Sequence, residues 1–207
     1  MALATDVLEY EVARAAVGAK AADQDLVALY ISAVSQMMDD RFGPVVRRTI
    51  TDELHDGGMG SVWLRHGPVA SVSACAEAQG TTTVTCTQQT FGTQPADGFF
   101  LPAWQTSSAP YSGQVVRMSG GAESCWHAGR GNVKVTYSAG RFASTAAVSE
   151  RFQQAALLAF RNLWRSEQSG VVRVDEYDVP QAAFARFSLP NAVVELLRDE
   201  LRVPGVA

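Results

Sequence analysis

The side chains of this 207-residue chain that could do chemistry are three histidines, three cysteines and a few carboxylate pairs. Nucleophilic catalysis needs a Ser or Cys beside a His that an acid orients. The sequence has no GxSxG elbow, and His55, His66 and His127 are dispersed, so only the fold could assemble a triad from them and nearby acids. Cys125-Trp126-His127 sets two metal-binding side chains two apart, without a second pair at ligand spacing, which reads as a surface loop. Cys75, Cys86 and Cys125 form no CxxC pair and leave one thiol unmatched, so neither a zinc knuckle nor a disulfide framework is indicated and a reducing compartment is expected. Gly57-Gly58-Met59-Gly60 and Gly129-Arg130-Gly131 lack the GxxxxGK[ST] pattern and a following helix, and read as hairpin turns. Asp52-Glu53 and Asp39-Asp40 are adjacent in sequence, so each pair diverges around a strand or helix and cannot flank one substrate bond. The expectation is a chain that is not an enzyme, with no catalytic residue, no cofactor and no metal.

Composition narrows the partners. The formal net charge of -4 and a pI of about 5.4 argue against general nucleic-acid binding, which needs clustered Lys and Arg to displace counterions. Arg47-Arg48 is the nearest approach to a cluster and reads as a solvated pair. Charged residues make up only 18% of the chain, which leaves neutral surface for packing against partners. The aromatics Phe99, Phe100, Trp104 and Trp126 have no basic companions, so they read as core or subunit-interface residues rather than a base-stacking platform. The opening MALATDVLEYEV carries acids and no long apolar run, unlike a secretory signal, and no stretch approaches a membrane span.

The elements that must position these residues follow from periodicity. Leu8, Val12 and Ala15 or Ala16 recur at helical spacing behind a Thr5 or Asp6 cap, with Gly18 as the stop. In a second helix Leu26, Tyr30, Val34 and Met37 fall on one face, widened by Leu29, Ala33 and Met38, up to Gly43-Pro44. Asp39 and Asp40 oppose the dipole at that end, as solvated acids or as contacts outside the monomer. Strands are expected near 47–55, 61–65, 69–76, 82–89, 98–101, 113–118 and 131–138, paired antiparallel because no helical crossover fits between them. In the last of these Val133, Val135 and Tyr137 alternate with Lys134, Thr136 and Ser138. Residues 92–97 and 105–113 read as loops. A long helix over 146–168 follows, with Val148, Phe152, Ala155, Ala156, Ala159, Phe160 and Leu163 on its buried face. Beyond Gly170, an extended stretch and a short amphipathic helix over 191–202 make a tail that either folds back on its own domain or acts as an arm that buries its apolar face on another subunit.

The expected class is α+β: a small helical bundle from 1–45 and 141–168, an antiparallel β-rich insertion over 46–140, and a C-terminal arm over 169–207. Three short pieces are the most specific: the T-x-T-x-E-x-x-D-G-like run at 49–57, HGPV-x-SV at 66–72 and VTY-x-AG at 135–140, which leads into the apolar helix carrying Trp164. In this order they resemble the head-to-tail adaptor (connector) proteins of long-tailed bacteriophages. The resemblance spans most of residues 5–168 and carries no catalytic signature; similar segments occur in related neck proteins.

The resemblance implies a homo-oligomeric ring, commonly a dodecamer, seated between the portal protein and a downstream head-tail stopper or tail protein. Genomic DNA would pass through its lumen without sequence-specific binding. The place would be the virion neck, with assembly in the host cytoplasm and no membrane involved. The arm would grip the portal, which makes Val171, Val174, Tyr177, Phe184, Phe187, Leu189, Val193, Leu196, Leu197 and Leu201 the interface candidates. The alternative from another class is a β-rich tail or decoration protein that binds host glycans through its aromatics.

Overall fold

The computed structural model describes residues 5–90, 92–106, 109–168 and 189–200. It is an α+β fold in which the chain divides into two units, residues 1–46 with 142–207, and residues 47–141.

The first unit is helical: α1 (Tyr10–Val17), α2 (Gln24–Phe42), α3 (Glu150–Gln168) and the short α4 (Asn191–Leu196). Helix α1 starts later than its spacing suggests, because Asp6 does not cap it. Asp6 is buried and accepts a hydrogen bond from Ser32 Oγ (3.2 Å), while its carbonyl accepts one from Thr145 Oγ1 (2.6 Å). Val7 N–H donates to Ser35 Oγ at 2.9 Å, so the segment before α1 lies bonded to α2, with Leu8 buried before the helix begins. Ala13 is the buried residue of α1 and Val12 points outward. Gly18 closes the helix at φ +65°, where a Cβ would be strained, and the Ala19 N–H returns to the Arg14 carbonyl at 3.2 Å.

In α2 the buried face is Val27, Ile31, Val34, Ser35, Met38 and Phe42. Of the expected face, Val34 and Met38 are buried and Tyr30 and Ala33 pack against the core, whereas Met37 is half-buried and Leu26 and Leu29 are exposed, Leu29 by 63%. The helix is apolar on two sides, so its period admits both and only packing selects the buried one. Asp39 is accounted for locally: its Oδ1 accepts the Val45 N–H at 2.8 Å, tying down the chain just after the Gly43-Pro44 turn.

Helix α3 begins at Glu150 rather than at 146, because a 3-10 turn at Thr145–Ala147 ends in the extended residue Val148. Its expected face is buried as spaced. Phe152 meets Phe42 and Phe142 edge-on, with centroids 6.3 and 5.4 Å apart, and Trp164 packs against Phe160 and Tyr30. Helix α4 lies on α3: Val193 and Leu197 are fully buried in the same core, and Arg151 Nε donates to the Leu196 carbonyl at 2.6 Å.

The second unit is one sheet of ten strands: β1 (Arg48–His55), β2 (Ser61–Trp63), β3 (Val69–Gln79), β4 (Thr82–Gln88), β5 (Gly98–Phe100), β6 (Ala103–Thr106), β7 (Ala109–Tyr111), β8 (Gln114–Ser119), β9 (Ala122–Glu123) and β10 (Val133–Ala139). The order is β1-β10-β3-β4-β5-β8-β2, with β6, β7 and β9 attached at the side. In β10 the fully buried Val133, Val135 and Tyr137 alternate with outward residues, as their spacing predicts. Two expectations are corrected. Strands β4 and β5 pair in parallel, with Thr87 opposite Gly98 and Gln88 opposite Phe99. Residues 105–113, expected as a loop, contain part of β6 and all of β7; their small polar residues and Pro110 hide a short antiparallel pair that joins β3 at Val69.

The inner face of the sheet closes on one core of Val62, Leu64, Val69, Val115, Val133, Val135 and their neighbours. The chain leaving β2 returns to β1, where Arg65 N–H donates to Glu53 Oε1 at 2.9 Å and Arg65 Nη2 to the Leu54 carbonyl at 3.2 Å. The two glycine segments are not independent turns. Gly57 N–H donates to the Gly129 carbonyl and Gly58 N–H to that of Trp126, so the loops run against each other, and a Cβ at Gly57 would strike the His127 carbonyl.

Packing in the helical unit yields a paired test. Leu197→Ala should destabilise the chain by about 2–5 kcal/mol in chemical denaturation, as for other large-to-small core changes. Leu29→Ala should move it by less than about 0.5 kcal/mol, as an exposed position does. Equal effects would contradict the burial described.

Candidate functional site

The buried charged groups of the β unit form two nodes. The first is Glu53. In β1 a bulge sets both Thr51 and Asp52 against Thr136, and Asp52 adopts φ +55°. The extra residue turns Glu53 inward together with Ile50, in the phase of Tyr137 and Val135. Asp52 is held by Thr136 Oγ1, which bonds its backbone N–H (3.0 Å) and its carboxylate (3.2 Å), and by Lys134 Nζ at 3.3 Å. Inside, Glu53 Oε2 accepts from Tyr137 Oη at 2.8 Å, while Oε1 accepts from the Arg65 N–H and lies 2.8 Å from His55 Nε2. His66 N–H in turn donates to Tyr137 Oη at 3.1 Å, and Gly140 N–H to the Pro68 carbonyl at 2.9 Å.

The three sequence segments at 49–57, 66–72 and 135–140 are thus bonded to one another. Their residue types are explained by the closure of the sheet. Burial pushes the Glu53 carboxyl up, but the hydrogen bonds from Arg65 and Tyr137 and the neighbouring His55 outweigh it and hold the group below the ordinary carboxyl range. The Tyr137 hydroxyl is pushed up by burial and by its bond to Glu53, so it keeps its proton. With the Glu53 side chain 5% exposed and both oxygens occupied, it presents no face to a substrate.

The second node is Arg117. Its Nε donates to Glu77 Oε2 (2.9 Å), Nη1 to the carbonyls of Gly98 (3.1 Å) and Met118, and Nη2 to Asp97 Oδ1 (2.7 Å). The guanidinium lies 5.6 Å from the centroid of the Trp126 ring, and the other Glu77 oxygen accepts the His127 N–H. Burial alone would lower the Arg117 pKa, but Asp97 and Glu77 more than reverse that. A buried ion pair with this many partners is a packing device, and removing one side of such a pair costs about 3–5 kcal/mol.

The remaining chemical candidates are placed as follows. His66 and His127 contribute the backbone N–H groups described. Cys75 and Cys86 face each other across β3 and β4, both buried, and the Cys75 thiol is pushed up by its bond to Cys86 and by burial. Cys125 is exposed. Among the described residues no group of three His, Cys, Asp or Glu could hold a metal ion, and no helix is long and apolar enough to cross a membrane.

Of the interface candidates, Val171, Val174, Tyr177, Phe184, Phe187 and Leu201 lie outside the described residues. Leu189 and Leu196 are half-buried against the helical core, and Val193 and Leu197 are fully inside it, packed on α3 of their own chain. The 3.6-residue period of α4 reveals an apolar face but not whose core receives it.

Apolar surface is instead exposed elsewhere. Leu26 and Leu29 stand on one stripe of α2. In the β unit Trp63 is 60% and Phe100 42% exposed, opposite Gln114 and Val116 on the two sides of β8. Both residues therefore project from the same outer face. Phe99 and Trp126, by contrast, are core residues. The signal for Trp63 was present in the alternation of Ser61-Val62-Trp63, where buried Val62 assigns both neighbours to the outside.

No family profile and no curated protein matches the chain. Among solved structures, a chain from the neck of an empty GTA particle, computed with C6 symmetry, superposes with a TM-score of 0.53 at 18% identity, covering 96% of this chain and 92% of that one. A chain from the neck of a native GTA particle, computed with C12 symmetry, matches at 17% identity and a TM-score of 0.43 over 98% of both chains. The first likeness shows a shared fold.

Glu53 generates a pH-dependent prediction. Its folded-state pKa lies below the ordinary 4.5, so its stabilisation is present above that value and disappears as pH falls through the folded value. Between about pH 5 and pH 3 the native chain should lose more stability than Glu53→Gln, measured by thermal unfolding. At neutral pH Tyr137→Phe should be destabilised by about 1–3 kcal/mol, since a buried carboxylate loses a donor.

Proposed function

We propose that this chain is a structural subunit of the neck of a phage-like particle: a head-to-tail adaptor that assembles as a ring, in the resemblance a dodecamer, beneath a portal. The observation that carries this reading is the superposition, over nearly the whole of both chains, on a protein from the neck of a GTA particle. The same order of helices, β insertion and helix supports it. So does the character of the β unit, whose buried charges are consumed in bonds that close its own core.

In this reading the work is mechanical. Neighbouring subunits pack through exposed apolar surface such as the Leu26 and Leu29 stripe. The face with Trp63 and Phe100 meets the next ring, a head-tail stopper or tail protein. The tail carrying Val171, Val174, Tyr177, Phe184, Phe187 and Leu201 grips the portal. DNA slides through the lumen unbound, which suits a chain with a formal net charge of -4 and no basic cluster. Assembly takes place in the host cytoplasm, and the mature protein resides in the virion neck.

Imaging of the assembled particle neck tests the proposal: a closed ring of this chain directly under the portal is the expected result. Its absence from that ring, or a monomer that binds host glycans through Trp63 and Phe100, would replace the adaptor reading with that of a tail or decoration protein. A mutational test follows from the exposed stripe. Leu26→Glu with Leu29→Glu should leave thermal unfolding of the free subunit nearly unchanged while abolishing ring formation, as seen by sedimentation or mass photometry.

A further inference from the structure

In the helical unit, Arg161 and Arg165 stand one turn apart on α3 and line a groove of about 290 Å³ with Ala16 and Val17 from the end of α1 and with Trp164. Both arginines are exposed, and among the described residues neither has an ion pair or side-chain hydrogen bond. Trp164 is held in place by Phe160 and Tyr30, so the groove has a fixed apolar floor and a cationic rim. Such a groove suits carboxylates placed on either side of an aromatic side chain, since guanidinium groups pair with carboxylates and the apolar floor receives the ring.

The densest acidic run of the chain has that composition. Asp175-Glu176-Tyr177-Asp178 carries three carboxylates around one tyrosine, and it follows Gln168, the last residue of α3, by only a few residues. Arg165 is under one turn from that helix end and Arg161 about 10 Å from it. The connecting residues can span about 20 Å when extended, enough to fold back onto the groove. A tether this short gives the run a local concentration in the millimolar range, above that of any second copy in dilute solution.

We propose that Asp175-Glu176-Tyr177-Asp178 docks on the α1 and α3 groove of its own chain, with its carboxylates on Arg161 and Arg165 and Tyr177 over Ala16, Val17 and Trp164. The contact belongs to the free subunit. It stands whether or not the subunit forms a ring, so its test and that of the neck reading fail separately.

Hydrogen exchange of the full-length chain at low protein concentration and low salt decides it. Backbone amides around residues 174–179 should exchange about tenfold more slowly in the native chain than in R161E/R165E, two exposed positions whose substitution leaves the thermal unfolding of the helical unit intact. Adding D175R/E176R/D178R to R161E/R165E should restore the slowing relative to the chain with the tail substitutions alone. Equal exchange in the native chain and R161E/R165E would overturn the proposal. So would a slowing that grows with protein concentration, which would assign the groove to a neighbouring copy.

Discussion

A carboxylate inside a β core stays charged only if it is surrounded by donors, and the sheet of this protein is organised around two that are. Glu77 on β3 holds Arg117 on β8, and Arg117 in turn bonds the backbone at Gly98 and Met118 and the side chain of Asp97. One side chain thereby ties together strands and loops that are distant in sequence. Glu53 does the same at the other end of the strand order, where Arg65 brings the chain after β2 back to β1 and Tyr137 bonds the same carboxylate from β10. The carboxylates of Glu53 and Glu77 are both buried, and each has its oxygens engaged by donors of the same chain. Groups that would mark an active site in a cleft here determine shape.

Where one face of an element is apolar and the other polar, the sequence reveals the fold directly. Helix α3 and strand β10 are of this kind, and their buried residues fall where their periods put them. Helix α2 is apolar on two sides, so its period put Val34 and Met38 inside correctly but also admitted Leu26 and Leu29, which are exposed. Asp6 has the residue type of a helix cap, and a partner on α2 claims it instead. Strands β6 and β7 are too short and too polar to signal themselves, and β5 pairs with β4 in parallel where antiparallel pairing is expected.

The nodes were half legible. Arg117 lies two residues after Val115 and Glu77 two after Cys75, each in the apolar phase of its strand, which is the mark of a buried charge seeking a partner. Which charge pairs with which depends on strand order, and no spacing in the sequence encodes it. Glu53 was hidden altogether, because the bulge at Thr51 and Asp52 shifts its phase by one residue. The three segments that suggested a resemblance are therefore informative for a physical reason: they supply the bulge, the Tyr137 hydroxyl and the turn before Val69 that together close the sheet.

One junction has an entropic meaning. Val46 and Phe142 bridge each other, and Phe142 N–H donates to the Val45 carbonyl, so the β unit leaves the helical unit and rejoins it at one point. Within the β unit, Arg48 and Ala139 are already paired at the free ends of β1 and β10. Before that sheet forms, α3 must find α1 and α2 across a roughly hundred-residue loop; afterwards the same closure spans only about fifteen residues, 43–47 and 140–149. The closure entropy then falls by about 1.5–2 kcal/mol, so a sheet that is already formed lowers the cost of completing the helical core.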